Sequence, residues 1–334
     1  MAGGCDAPNF NPESAYAPGS GTSIMSYFGN CDSDNVDASL IGTGTYYRTR
    51  SFEEIADNVQ NGSGATCGTT RMTGNLPPMV NAGSDFTIPR QTPFTLTGDA
   101  MDEDPMTFTW EQFDAADTRR AIDTDDGKGS IIRSVPPTTS KSRTIPNLAD
   151  VLSGTMRKAE VLPSMDRNLT FRFTARDNRM GGGGVAFDTM VVTVAGDPFF
   201  VTEPNGGETW MAGCVGPVEW EKGGGIATDV NVLASEDGGL NFSTLVAGTA
   251  NDEMENVTVP CAPTTKARVK AEAADNIYFD VSDGDFTIES NAPAVAPSAQ
   301  AARSTIRVMW RAALCRDSCH FSDRDSVCAV GYST

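Results

Sequence analysis

The run Leu169-Thr170-Phe171-Arg172-Phe173-Thr174-Ala175-Arg176 alternates apolar and polar residues without a break. Successive side chains of a β-strand point to opposite faces, so this pattern demands a strand with one face in a core and the other in water. Phe94-Thr95-Leu96 and Phe108-Thr109-Trp110 repeat the period, and Asp188 to Ala195 adds another β-rich run. The Gly181 to Gly184 tract between the two long runs fits only a loop or hairpin turn. No helical period of useful length interrupts residues 79–196. The spacing therefore predicts an all-β sandwich, with its domain drawn at residues 75–196.

A second β segment runs from Phe199 to Ile288 and sets a further domain at 197–290. Its alternating pairs are Val218/Trp220, Val230/Val232, Val257/Val259, Val269/Ala271 and Phe286/Ile288. Pro204-Asn205-Gly206-Gly207, Glu236-Asp237-Gly238-Gly239 and Ser282-Asp283-Gly284 mark its turns. Cys214 and Cys261 fall near its two ends, where a bridge would staple early to late strands; two buried free thiols are the alternative.

The 334 residues suffice for two or three domains, and Asp+Glu 44 against Lys+Arg 25 gives a net charge of −19. That balance argues against nucleic acid as a partner, because phosphate recognition needs clustered cations. No apolar stretch is long enough for a spanning helix. Eight cysteines in turn-rich sequence favour an oxidising, secreted setting. No charged-then-apolar signal peptide opens the sequence, which suggests that a natural amino-terminal region precedes it.

Residues 1–74 have a different texture, rich in Gly, Ser and Asn. Ser51-Phe52-Glu53-Glu54 has the form of a capping box, followed by apolar Ile55, Ala56 and Val59, so a helix is predicted to start at Ser51 and to end before Asn61-Gly62. Leu76-Pro77-Pro78 reads as an extended linker. Beyond residue 290 an Ala/Pro-rich linker leads to a basic tail, 291–334 in all, read as disordered or artefactual.

The stretch Ser14-Ala15-Tyr16-Ala17-Pro18-Gly19-Ser20-Gly21-Thr22-Ser23-Ile24-Met25-Ser26-Tyr27-Phe28-Gly29-Asn30-Cys31 resembles the Met-turn region of metzincin metalloproteases, the bacterial reprolysin-like group in particular. The resemblance continues through Tyr46-Tyr47 and Ser51 to Ile55, which look like that family's closing helix, with Arg48 where relatives often carry histidine. It extends to two segments that look like appended immunoglobulin-like domains, covering about residues 5–289. It implies that Met25 is an apolar floor beneath a zinc site and that Tyr27 hydrogen-bonds a tetrahedral intermediate. The implied architecture is mainly β: a truncated α+β catalytic-domain remnant followed by two immunoglobulin-like sandwiches. The implied parent is a secreted zinc endopeptidase acting on extracellular proteins.

His320 is the only histidine, so the sequence holds no H-E-x-x-H and lacks the three imidazoles a catalytic zinc needs. Proteolysis is therefore expected of a longer parent and not of this chain. The rival expectation is an extracellular binding or adhesion protein built from the sandwiches. Residues 1–74 are expected to pack poorly, since Ile24, Met25, Tyr27 and Phe28 would lack the helix they cover.

Asp102 and Asp104, flanking Glu103, are candidate calcium ligands, with a solvated acidic turn as the alternative. Cys315, Cys319, His320 and Cys328 place two ligands side by side and make a poor zinc set. Four Asn-x-Ser/Thr sequons stand at Asn61, Asn168, Asn241 and Asn256.

Overall fold

The structure, a computed structural model, describes residues 11–27, 31–36, 46–116 and 122–291. Phe28, the tail cluster of cysteines and His320 lie outside the described residues. The chain divides into two compact units, the first made of Met1–Phe199 with Gly223–Ile226 and Asn276–Tyr278, the second of the remaining residues. The fold is mainly β, and no described helix is long and apolar enough to cross a membrane.

In the first unit, helix α1 (Thr49–Gln60) precedes strands β1 (Met79–Asn81), β2 (Phe86–Ile88), β3 (Phe94–Thr97), β4 (Asp99–Met101), β5 (Thr107–Gln112) and β6 (Ser142–Ile145). A short helix α2 (Leu148–Ser153) follows, then β7 (Arg167–Arg176) and β8 (Val185–Val194). The main sheet runs β2-β8-β7-β5, with β3-β6 and β1-β4 as two-stranded partners. β7 and β8 pair antiparallel along their full length, from Arg167↔Val194 to Arg176↔Val185, and the Gly-rich segment forms the turn as expected.

The inward face of β7 contributes Leu169, Phe171, Phe173 and Ala175, all fully buried, beside Trp110, Ile88, Leu96 and Val192. Phe173 stacks with Phe108 and tilts against Trp110, at centroid distances of 5.4 and 4.9 Å. Gly98 is required here, because a Cβ at that position would stand 2.4 Å from the Phe173 ring.

The sequence misplaces two features of this unit. The polar face of β7 is not in water: Thr174 is fully buried and Arg176 nearly so, because α1 and the residues before it cover them. Helix α2, absent from the sequence reading, is bounded by Asn147, whose side chain accepts from Ala149 N at 3.0 Å, and by Gly154 in the left-handed conformation. Six residues are too few for the period to register, and the caps were the available signal.

Strand β9 (Phe199–Glu203) leads into the second unit, which holds β10 (Thr209–Met211), β11 (Val215–Lys222), β12 (Asp229–Ser235), β13 (Ser243–Ala250), β14 (Met254–Thr258), β15 (Thr264–Ala273), β16 (Phe279–Val281) and β17 (Phe286–Glu289). One sheet runs β10-β17-β15-β12-β13 with β16 added to β15, and the other β14-β11-β9. Trp220, Val218, Val230, Val232, Val257, Val269, Phe286 and Ile288 fill the space between them. The alternating pairs read from the sequence are this core.

Two turns legible in the sequence meet here. Asn205 Nδ2 donates to Asp283 Oδ2 at 2.9 Å, and Asp283 N donates back to Asn205 Oδ1 at 2.6 Å. A Cβ on Gly206 would lie 2.8 Å from the Gly284 Cα, so the close approach excludes any larger residue.

Candidate functional site

The densest polar constellation lies on the outer face of the first unit's main sheet, centred on Glu111, which is fully buried. Strand register puts Glu111 opposite Arg172, and Thr109 opposite Thr174, so these side chains project to the same face. Segment 46–53 closes over them. Arg48 Nε reaches Glu111 Oε1 at 3.3 Å, and Ser134 Oγ donates to the same oxygen at 2.6 Å. Thr49 donates to Oε2 through its backbone N at 2.9 Å and its hydroxyl at 2.7 Å. Tyr46 OH donates to Ser134 Oγ at 2.9 Å, and Thr22 Oγ1 donates to Ser134 O at 2.7 Å.

Burial alone would raise Glu111; the Arg48 guanidinium and the hydrogen bonds from Ser134 and Thr49 outweigh it and hold the carboxyl below the usual range. Burial pushes the Tyr46 phenol up and the Arg176 guanidinium down. Ser134, Tyr46 and Thr22 are all sealed from solvent, so this arrangement orders the segment and offers no hydroxyl to a substrate. It also corrects the helix start. α1 begins at Thr49, with Arg48 at the cap position and no side-chain cap of its own; the Glu111 carboxylate takes that place.

A second layer of the same interface is cationic and aromatic. The Arg172 guanidinium lies between Phe113 and Phe187, 3.4 and 4.0 Å from the two ring centroids, and pairs with Glu53 of α1 at 2.8 Å. Tyr16 stacks on Phe113 at 4.1 Å, and its backbone oxygen accepts from Arg48. The expectation of a poorly packed amino-terminal segment is therefore corrected for these residues, since buried partners on β5 and β7 hold them. The Ile24–Tyr27 turn differs: Met25 is 66% exposed and Ile24 and Tyr27 each 44%. Neither Met25 nor Tyr27 touches the Glu111 constellation, although Ile24 N donates to Tyr46 O at 3.1 Å.

The candidate calcium pair gains a third carboxylate that the sequence did not suggest. Asp102, Asp104 and Asp177 bring ligand oxygens within 4.8 Å of one another. The donors around them fit a cation poorly. Asp177 Oδ1 accepts from Arg179 N at 3.0 Å and Gly184 N at 2.8 Å, and its Oδ2 from Gly184 N at 2.8 Å and Asn75 Nδ2 at 2.5 Å. Asp102 Oδ1 accepts from Asp104 N at 2.8 Å, and Arg179 stands 3.5 Å from Asp104. Asp177 thus serves as the acceptor of the β7-β8 loop and Asp102 as that of the β4-β5 turn, while Asp104 pairs with Arg179.

Cys214 and Cys261 are both disulfide-bonded, which removes the alternative of free thiols, and Cys31 is oxidised too. Cys67 is free and exposed. Val259 N donates to Cys214 O at 2.8 Å, so the two segments run side by side. Asn61, Asn168, Asn241 and Asn256 are all exposed.

No family model matches the sequence, and no curated protein does. Solved structures share parts of the chain at low identity. Tandem Ig repeats of Dlar align at 9% identity over 65% of this chain and 100% of that one, with a TM-score of 0.33. The fibronectin(III)-like modules of CbhA from Clostridium thermocellum align at 8% over 64% and 94%, with a TM-score of 0.23. The Bacteroides ovatus mixed-linkage glucan utilization locus SGBP-B, in complex with a mixed-linkage heptasaccharide, aligns at 14% over 65% of this chain with a TM-score of 0.21. The match spans about half of that protein, 48% of its length. Likeness of this degree assigns no function, and the β-sandwich fold rests on the strands and registers of the chain itself.

Proposed function

We propose that this chain is a non-catalytic extracellular binding or adhesion module built from immunoglobulin-like β-sandwiches. The observation that carries the reading is the closure of segment 46–53 over the outer face of the first sandwich through Glu111, Arg48 and Thr49. It makes the amino-terminal segment part of a stiff β body. Oxidised Cys31, Cys214 and Cys261 support a secreted setting, and we assign the bridge to the Cys214–Cys261 pair. Calcium would enter only by displacing Arg179 and Asn75 from Asp104 and Asp177, so the reading gives it no role.

The exposed Ile24, Met25 and Tyr27 favour a second reading. In a longer reprolysin-like parent a zinc-bearing helix would cover that turn, with extracellular proteins as substrates. The residues of this chain do not supply the zinc site, since its sole histidine is His320.

The test is to measure binding of the full chain to an array of extracellular polysaccharides and matrix proteins, alongside zinc content and caseinolysis. Saturable binding without cleavage is expected. Zinc-dependent cleavage by this chain would overturn the reading.

A further inference from the structure

The outer face of the first unit's main sheet has a covered part and an open part. Helix α1 and the residues before it seal Thr174 and Arg176. Toward β8 and β2 the same face meets solvent. Residues two apart on a strand share a face, so Phe187, Thr189, Val191 and Thr193 project outward along β8 over roughly 20 Å. Strand register sets Asn168 and Thr87 on either side of Thr193, and Arg172 beside Thr189. Both ladders run without a register shift, so the face is regular. Thr87, Asn168, Phe187 and Thr189 are exposed.

Phe187 is 39% exposed, and the Arg172 guanidinium braces one side of its ring at 4.0 Å. Arg172 is itself fixed by Phe113 and Glu53, so the ring is held in place before a ligand arrives. Among the described residues, no hydrogen bond engages the hydroxyls of Thr87, Thr189 and Thr193 or the side-chain amide of Asn168. Their donors and acceptors are left to solvent or a ligand. Of the side chains on this open face only Arg172 is ionic, in a chain of net charge −19, and Glu53 neutralises it at 2.8 Å. At the rim Arg90 pairs with Asp166 and Asp197, and Asp85 accepts from Val191 N at 2.7 Å. A polyanion would meet the field of the whole acidic body with no free local cation to receive it. A protein strand finds no open edge, since β8 is paired on both sides. A neutral polyhydroxy chain matches the face, because its C–H surfaces can lie on an aromatic ring while its hydroxyls give and accept hydrogen bonds.

We propose that the outer face of β2-β8-β7 binds an extended neutral glycan, with one sugar ring on Phe187 and sugar hydroxyls on Thr189, Thr193, Thr87 and Asn168. The inference rests on the reading as a binding module and names its ligand class.

The test uses the full chain, made in a bacterial host where Asn168 stays unmodified, and hexasaccharides of cellulose, xylan, mannan and starch, with hexagalacturonate as the anionic control. Binding is read by calorimetry, and its place by side-chain chemical shifts of Phe187, Thr189, Thr193, Thr87 and Asn168. At least one neutral hexasaccharide should bind and shift these signals together, and hexagalacturonate should bind at least ~10-fold more weakly, as like charge requires. Phe187→Ala and Thr193→Glu should each weaken binding at least ~10-fold, the second with thermal unfolding unchanged. If Phe187→Ala destabilises the fold, Thr193→Glu decides. Absence of binding by all four neutral hexasaccharides, equal affinity for hexagalacturonate, unaltered affinity of Thr193→Glu, or shifts confined to other strands would overturn the proposal. Saturable array binding to a matrix protein with no glycan bound would sink this surface and leave the binding-module reading standing. No saturable binding anywhere on the array would sink both.

Discussion

The carboxylate of Glu111 accepts the first amide of α1, Thr49 N, at 2.9 Å, so a strand of the sandwich supplies the cap that the helix's own Arg48 does not. Glu111→Ala would leave the Arg48 guanidinium buried without its partner and Thr49 without its acceptor. The expected loss is about 3–5 kcal/mol, the range for breaking a buried pair from one side. Chemical denaturation followed by far-UV circular dichroism measures it. The double variant Arg48→Met/Glu111→Leu should recover only the part due to the unpaired buried charge, because Thr49 N and the Ser134 hydroxyl still lose their acceptor.

The same carboxylate sets an acid limit. Its folded-state pKa lies below the unfolded value, so its stabilisation is present above the ordinary carboxylate range and is lost as pH falls through the folded value. Melting temperature of the wild type should drop steeply on acidification, and Glu111→Gln should flatten that slope.

Asp280 behaves in the opposite sense. Burial pushes its carboxyl up to about 7, against the hydrogen bond it accepts from Val201 N at 2.8 Å. The folded state therefore binds its proton more tightly than the unfolded chain, and stability falls as pH rises from about 4 to about 7. Asp280→Asn should remove that dependence and raise stability of the second unit near pH 8 by a few kcal/mol, of order one per pKa unit. Unfolding curves at several pH values would show no difference between the two proteins if the group titrates normally.

Arg172 cannot be replaced by lysine without loss. Its planar guanidinium fits between the Phe113 and Phe187 rings while reaching Glu53 at 2.8 Å. Arg172→Lys is expected to cost about 1–2 kcal/mol and Arg172→Ala somewhat more. An Arg172→Lys variant as stable as the wild type would mean that only the charge matters.

Amide exchange should separate the two parts of the amino-terminal segment. Residues 49–53 should be protected to a degree comparable with β5, on which they close, whereas the Ile24–Tyr27 turn should exchange quickly. Rapid exchange throughout 46–53 would contradict the buried network. A non-reducing digest should release Cys214 and Cys261 in one linked peptide, and reduction should cost the second unit about 3–4 kcal/mol.

Local pattern and tertiary arrangement contributed different things. Alternation along β7 and along the Val218/Trp220 and Val230/Val232 pairs is a property of neighbouring residues, so the two sandwiches and their cores were legible in the sequence. The turns at Asn205-Gly206 and Asp283-Gly284 were legible for the same reason, although their meeting was not. The helix at α1 was readable in existence and in its end, but its start was displaced because its cap comes from Glu111, 62 positions away.

The polar face of β7 shows why the rest stayed hidden. Arg172, Thr174 and Arg176 have the composition of a solvated face, and nothing local distinguishes a charge in water from one beneath a helix that brings its own partners. The same holds for Asp177, which joins Asp102 and Asp104 only through the β7-β8 hairpin. Sequence by itself determined which residues could form strands, turns and cores, because those depend on periods of a few residues. Only the tertiary structure decided that the amino-terminal segment closes over the sheet and that the Asn205 and Asp283 turns meet, because both depend on which distant backbone and side chains come to lie alongside.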